Sequence, residues 1–569
     1  MAVEPQEEEG PKTHPTGGRR FHQKRGPVVS EDDLEIDLEE EGAEHDQVLR
    51  RIRRRTQPGA SSSRSEPWQD MIDESLWVSE DTCFWNQQEA CVEIEVHLPE
   101  HQRGWKRFTK DAKAFLISAL KRRSVEVSER HLSKEEHEMF KQANQTEVDK
   151  FIAAEALKVL PPELQPSKQQ AMKMRWVLTW KKLEEGGAKP KARAVVLGYQ
   201  DPEYAYRPTF APTMTRHSRQ LLLQWSANNN HTVAKGDVSA AFLQGREFNR
   251  DTFLIPTDEI CQSLGVPTQS VVKMRKACYG LVEAPIEWFE TMNDFLKSLG
   301  FDQLQSDPCF WRLVRGTKTV AVISGHVDDF LFCGPDQDEE WQQIKAKIQQ
   351  KFKWQEWEYN DFIQCGVRVA AHKDGGYELD QVKYLEEVSE IQITKERRKQ
   401  TKEPITEQER TELRGLLGAL SWRTSQVGYR FSAYVSLHLS EVNQATVQSL
   451  IDVNSLLGKI KSAAKSPMRI FPFKDRERPQ VYCWTDASSQ NRHDGSSTKG
   501  IFIGMSGSKL ENGEIDKVSP WYWQSGKIDR VCRSPGSAEA RAAIDAEDSM
   551  YMLRFQWAEI LGYTANVHA

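Results

Sequence analysis

The chain has 569 residues, a formal net charge of −7 and 28% charged residues, so it is long enough for several domains, with about 150 residues each as a soft prior. No apolar run approaches the roughly 18 residues needed to span a bilayer, and the acidic N-terminus lacks the apolar core of a signal peptide, so the expectation is a soluble, intracellular protein. Nine scattered cysteines with no Cys-x-x-Cys pair predict free thiols and no structural zinc; the global acidity leaves room for a local basic groove that binds nucleic acid.

Residues 1–78 alternate blocks of like charge (Glu7 to Glu9, Glu31 to Glu41, Arg50 to Arg55) with Gly, Pro and Ser. This composition cannot bury enough apolar surface to offset chain entropy and predicts a disordered tail. The arginine cluster reads as a solvated tail, with a nucleic-acid contact or a nuclear address as the alternative. Residues 79–170 read as a helical extension, with helices over 111–121 and 133–160. In the second helix Met139, Phe140, Ala143, Val148, Phe151, Ile152, Ala156 and Leu157 suit one buried face and Pro161-Pro162 marks the end.

From residue 171 the pattern changes. Trp176 to Trp180 and Lys189 to Leu197 flank Gly186-Gly187 as a hairpin dense in Lys and Arg. This is either an exposed charged hairpin or a phosphate-binding one. A helix over 216–228 precedes a strand from His231 that ends near Asp237, which by itself also fits a plain helix N-cap. A helix begins near Ala284 and runs to about Leu299. Two apolar runs, Thr319 to Ile323 and Phe330 to Phe332, flank Gly325-His326-Val327-Asp328-Asp329 and predict a hairpin with paired carboxylates at its turn. Adjacent like charges there repel unless a cation offsets them, although turns favour Asp in any case.

Lys191-Ala192-Arg193-Ala194-Val195, Thr209-Phe210-Ala211-Pro212, Asp237 to Gly245, Tyr279-Gly280-Leu281 to Pro285, and His326-Val327-Asp328-Asp329 follow one another in one order. Together they resemble the reverse transcriptase of copia-type LTR retrotransposon Pol polyproteins, over about residues 134–561. The resemblance implies an α+β right-hand polymerase with fingers and palm at 171–370 and thumb and connection at 371–475. It implies Asp237, Asp328 and Asp329 as catalytic carboxylates that hold Mg²⁺ or Mn²⁺, Asp329 less directly, with Val238 offering a carbonyl. Hard cations prefer oxygen ligands, and phosphoryl transfer is largely positioning and charge neutralisation. The resemblance further implies Arg193 as the triphosphate-binding arginine, with Lys191 and Lys189 as neighbours. Phe242 would screen the ribose 2′ position, or else serve as a core aromatic. Two departures from the family pattern stand out. His326 replaces a Tyr and would lie near the primer end. Glu283 replaces a Gln at the nucleotide, where a carboxylate would face a triphosphate unfavourably.

Residues 476–569 resemble an RNase H-like α/β domain, with strands from Tyr482, Thr498 and Val518 and a helix over 537–561. Asp486 and Glu539 match two of its metal-binding carboxylates, while Asp545 and Asp548 read as solvated charges. The remaining ligands would fall beyond Ala569, so this domain is expected to be truncated and unable to cleave RNA unaided. The absence of protease and zinc-cluster motifs suggests a fragment or derivative of a polyprotein. The implied function is an RNA-directed DNA polymerase acting on an RNA template, a DNA or RNA primer and deoxynucleotides. It would act in the cytoplasm (virus-like particle), the nucleus or both, with no membrane. The alternative is a catalytically silent relic that binds nucleic acid.

Overall fold

The structure is a computed structural model and describes Val127 and residues 132–562, except 183–186, 202, 209 and 249. The expected tail, nearly all of the extension before residue 132, and Thr209 lie outside the described residues. The first helix, α1 (Lys134–Ala153), starts with a reciprocal cap: Glu136 N–H donates to the Ser133 hydroxyl and Ser133 N–H to the Glu136 carboxylate. It ends seven residues before the expected Leu160. Glu155 turns the chain at φ +49°, and β1 (Leu157–Val159) pairs with a later strand instead. Ladder hydrogen bonds and the burial of Leu157 outweigh the local helical pattern. Met139 and Ile152 are correspondingly exposed, at 40% and 38%.

The predicted basic hairpin forms as β2 (Met172–Lys182) and β3 (Ala188–Val196), with Thr179 opposite Lys191 and Val177 opposite Arg193. Then come α2 (Arg216–Asn229), β4 (Thr232–Asp237), β5 (Phe253–Ile255), α3 (Asp258–Ser263) and β6 (Val272–Met274). Strands β1-β6-β5-β2-β3 make a five-stranded sheet in that order. Next are α4 (Ala284–Ser298), β7 (Phe301–Gln303), β8 (Phe310–Arg315), β9 (Lys318–His326), β10 (Asp329–Gly334), α5 (Glu339–Lys351) and β11 (Glu358–Tyr359). A six-stranded sheet ordered β11-β4-β10-β9-β8-β7 places β4 against the Asp-Asp hairpin.

A four-stranded sheet follows, formed by β12 (Asp361–Gln364), β13 (Val367–Ala371), β14 (Tyr377–Asp380) and, after a helical insertion, a strand at Met468–Ile470. The insertion comprises α6 (Val382–Glu387), α7 (Glu407–Gln426), α8 (Ser432–Glu441) and α9 (Val447–Ala463), and the closing strand is β15. Its own core gathers Leu413, Leu417, Leu420, Val453 and Leu457. The chain finishes with β16 (Gln480–Ser488), β17 (Thr498–Ser506) and β18 (Val518–Lys527) in an antiparallel sheet, and α10 (Pro535–Leu561).

Helix α2 is buried on every side from His217 to Ala227, its polar His217, Ser218, Arg219, Gln220, Gln224 and Ser226 included. One face meets the six-stranded sheet and another the C-terminal sheet. Leu221, Leu222, Val322 and Leu331 therefore share one core with Ile503, Trp521 and Trp523. All described residues belong to one compact unit, and the structure is the mixed helix-and-sheet α+β architecture expected. Among the described residues, no helix is long and apolar enough to cross a membrane.

Candidate active site

The hairpin that carries the paired carboxylates is built by two runs rich in β-branched and aromatic residues, which suit a pleated, half-buried surface. Its turn is tight. Asp329 sits opposite His326, leaving Val327 and Asp328 between the strands, and Val327 adopts φ +57°, an unfavourable backbone region for a β-branched residue. The Trp288 indole N–H holds that turn by donating to the Val327 carbonyl. Gly325 has a specific role. A Cβ there would lie 2.2 Å from Phe330 Cε1, so the Phe330 ring can lie across the strand only over a glycine.

Strand register then brings in the third carboxylate. Strand β10 pairs antiparallel with β4 so that Asp329 is opposite Asp237, and the Val238 N–H donates to the Asp328 carbonyl at 2.8 Å. The backbones of Asp237, Asp328 and Asp329 thus lie side by side at the ends of neighbouring strands. Burial pushes the Asp329 carboxyl up to about 7, with Asp237 and Asp328 adding to the rise and Lys235 and the Cys365 N–H opposing it. Asp328 keeps accessible surface, but in a recess crowded by protein. Loss of solvent and then Asp237 raise its carboxyl, while Arg193 and Lys191 act in the other direction.

Arg193, exposed on β3, places its guanidinium 5.5 Å from the centre of the Tyr279 ring, and Tyr279 meets Phe242 edge-on at 5.3 Å. The arginine, tyrosine and phenylalanine thus pack one against the next beside the basic hairpin. Phe242 is half-buried and packs against two core clusters, which fits the core-aromatic reading. Lys191 is half-buried; burial and the neighbouring Arg193 and Lys181 lower its ammonium. Lys189 is exposed near the hairpin's end. Gly280, at φ +88°, lets this packing close: a Cβ would come within 2.0 Å of the Val196 carbonyl, and Val196 N–H donates to the Tyr279 carbonyl.

The two departures take on a different meaning in the structure. Glu283 is 4% exposed and does not present a bare charge to an incoming anion. Arg250 donates to its Oε1 from both Nε and Nη2, and Arg207 Nε lies 3.5 Å from Oε2. Arg207 also grips Asp201 at 3.0 Å, so two arginines and two buried carboxylates compensate one another. His326 is buried rather than open to a primer, and burial pushes its imidazole down to about 4, which leaves it neutral near pH 7.

Hard oxygen donors suit Mg²⁺ or Mn²⁺. Asp329 Oδ1 is a buried acceptor without a hydrogen-bond partner, which also fits a cation ligand. The side chains are not gathered for it: among the described residues no three His, Cys, Asp or Glu side chains are arranged to hold an ion. Instead Gln355 donates to Asp237 Oδ1, and Cys365 N–H donates to Asp329 Oδ2 at 3.1 Å. Sequence reasoning missed Gln355, Lys235, Arg207 and Arg250. Only Lys235 had a local signal, since it lies two residues before Asp237 and shares its face of the strand.

In the C-terminal module Asp486 is exposed on β16 and Glu539 is exposed near the start of α10. Asp548 is exposed, but Asp545 is not the solvated charge expected. Its side chain is 15% exposed and pairs with Lys499 at 3.0 Å and Arg541 at 2.9 Å. The helix turns it toward β17, where the lysine covers it.

The sheet thus carries three acidic residues beside a basic hairpin, and the comparisons with known proteins bear on the family that this arrangement resembles. Residues 163–405 match the reverse transcriptase (RNA-dependent DNA polymerase) family model. The chain is 31% identical over 201 residues to the retrovirus-related Pol polyprotein from transposon RE1 of Arabidopsis thaliana. It is 30% identical over 205 residues to that from RE2 of the same plant. It is 27% identical over 175 residues to that from TNT 1-94 of Nicotiana tabacum. These matches cover 35%, 35% and 30% of the chain. Over these residues the chain is therefore similar to the reverse transcriptase region of retrotransposon Pol polyproteins. In each case it spans 13% of the relative's length. Among solved structures, the foamy viral protease–reverse transcriptase dRH in complex with double-stranded DNA aligns with a TM-score of 0.42 and 12% identity. That alignment covers 76% of this chain and 64% of the other.

Proposed function

We propose that the chain is an RNA-directed DNA polymerase that extends a DNA or RNA primer on an RNA template with deoxynucleotides. The observation that carries this reading is the register of β4 against β10, which sets Asp237 opposite Asp329 with Asp328 at the adjoining tip. Asp237 and Asp328 would hold Mg²⁺ or Mn²⁺, with Asp329 in support and the Val238 carbonyl nearby. The bound cations would supply charge neutralisation for the attacking and leaving oxygens. Arg193 and Lys191 bind the anionic triphosphate; the arginine fork suits phosphate oxygens, and both groups already sense the charge of Asp328. The edge-on Tyr279–Phe242 pair restricts the sugar from the fingers side. Glu283, neutralised by Arg250 and Arg207, tethers the start of α4 and places the Tyr279-Gly280 segment without repelling the triphosphate.

The catalytically silent alternative rests on the same residues, and one experiment separates the two. Wild type and Asp328→Ala are compared in homopolymer primer extension with Mg²⁺ or Mn²⁺. The polymerase reading expects robust incorporation by wild type and background incorporation by the variant. Equal, background-level incorporation by both would establish the silent reading.

A further inference from the structure

The helical insertion holds a buried cation that nothing in the polymerase site uses. Arg423, near the C-terminal end of α7, is 5% exposed, and neither its Nε nor its Nη1 meets a hydrogen-bond acceptor. The guanidinium lines a partly enclosed pocket of ≈ 20 Å³ whose other walls include Gly428, Tyr429, Arg430, Ser466 and Met468, with no acidic residue among them. Asp380 is the carboxylate that most influences Arg423, but it is bonded to Arg368 at 3.0 Å. Burial lowers the Arg423 guanidinium only to about 10, so it stays charged at neutral pH. Leaving a buried charge uncompensated is strongly unfavourable, which makes an external counter-anion the natural complement.

The size of the pocket restricts that anion. A volume of ≈ 20 Å³ holds about one water-sized group, so one oxygen enters and the rest of the ligand stays outside. Arg430 is exposed and rests against Tyr429 with its guanidinium 5.8 Å from the ring centre, so it supplies a second positive charge at the rim. The backbone is not the donor, because Gly428 N–H already donates to the Arg423 carbonyl at 3.0 Å. We propose that this pocket is an oxyanion site in which Arg423, assisted by Arg430, binds a non-bridging oxygen of a phosphate ester. The phosphate is either a free phosphate ester or a phosphodiester of a bound duplex, and the second source rests on the polymerase reading.

Two titrations on the full chain test this. Inorganic phosphate is titrated calorimetrically at constant ionic strength, and the affinity for a primer–template duplex is measured against salt concentration, for wild type and Arg423→Met with folding checked by circular dichroism. The expected result is at least a tenfold loss of phosphate affinity in the variant. The slope of log affinity against log salt should also become shallower by about 1, as for one lost backbone contact. Loss of phosphate binding with an unchanged slope supports the site and assigns a free phosphate ester, whereas a changed slope alone supports it and assigns the duplex backbone. A folded variant unchanged in both measurements overturns the proposal and leaves the pocket to an ordered water. If Arg423→Met does not fold, Arg430→Gln at the exposed rim is read by the same two measurements. If wild type binds no duplex, the polymerase reading fails separately, and the phosphate titration still decides the pocket.

Discussion

Glu283 shows how one residue reads differently in sequence and in space. In the chain it interrupts a motif with an unwelcome negative charge. In the structure it is held by Arg250, 33 residues away, and by Arg207. Its side chain is 6% exposed, against 24% for Arg250 and 18% for Arg207, so solvent screens this cluster far less than a surface pair. Removing one partner of a buried pair leaves the other uncompensated, at about 3 kcal/mol. Glu283→Gln, which restores the family's expected residue, is therefore predicted to lower the stability of this chain by about that amount. Glu283→Asp, which keeps the charge, should recover part of the loss. Urea unfolding of the three proteins checks this; a Glu283→Gln midpoint equal to wild type would mean that the carboxylate has no structural partner in solution.

At the scale of elements, α7 is fixed at its start by two linked devices. Thr406 and Glu409 exchange hydrogen bonds in a capping box, and Arg397 donates to both Glu409 oxygens at 2.8 Å. The arginine, more than the burial that opposes it, holds the Glu409 carboxyl down to about 2, from an ordinary value of 4.5. A carboxyl lowered in the folded state contributes stability that is fully present above its unfolded pKa and is lost as pH falls through its folded pKa. Glu409→Gln, which can keep the capping box but not the charge that Arg397 holds, is thus predicted to be less stable than wild type at pH 7 by about 1 kcal/mol, the upper range of a partly exposed ion pair. That difference should shrink between pH 4.5 and pH 2; denaturant midpoints across that range are the measurement. Helix α2 and the β9–β10 hairpin were legible in the sequence, because the residues that mark each lie within the element itself. The end of α1 was not: Leu157–Val159 become a strand only because Val272–Met274 pairs with them. The carboxylate trio was recognisable as ordered motifs, whereas Gln355 on Asp237 and the unpartnered Arg423 depend on contacts that no local spacing encodes.

For the whole molecule, the consequential feature is how α10 returns to the six-stranded sheet. Glu559 accepts hydrogen bonds from Gln305 N–H and from the Ser306 N–H and hydroxyl. Gln556 donates to the Ser218 hydroxyl at 2.7 Å, and Ser218 in turn donates to the fully buried Asp307. Asp307 also accepts from Thr215 N–H at the start of α2 and from Cys309 N–H. Beside this chain of polar contacts, Trp521 and Trp523 lie in the same core as Leu221 and Leu222. A boundary at residue 476 therefore cuts through shared packing, even though the sequence resemblance changes there. Two domains joined only by a linker would melt independently, whereas a shared core predicts one cooperative transition for residues 132–562. Glu559→Ala leaves three donors around residues 305–306 without their acceptor and is predicted to destabilise the chain by about 2–4 kcal/mol. The loss should appear at the polymerase side as well as in the C-terminal module. Hydrogen exchange reads both: protection of the Phe330–Cys333 amides should fall together with that of Ile501–Ile503. Loss of protection confined to 480–562 would show that the C-terminal module unfolds alone and that α10 rests on α2 without supporting the site.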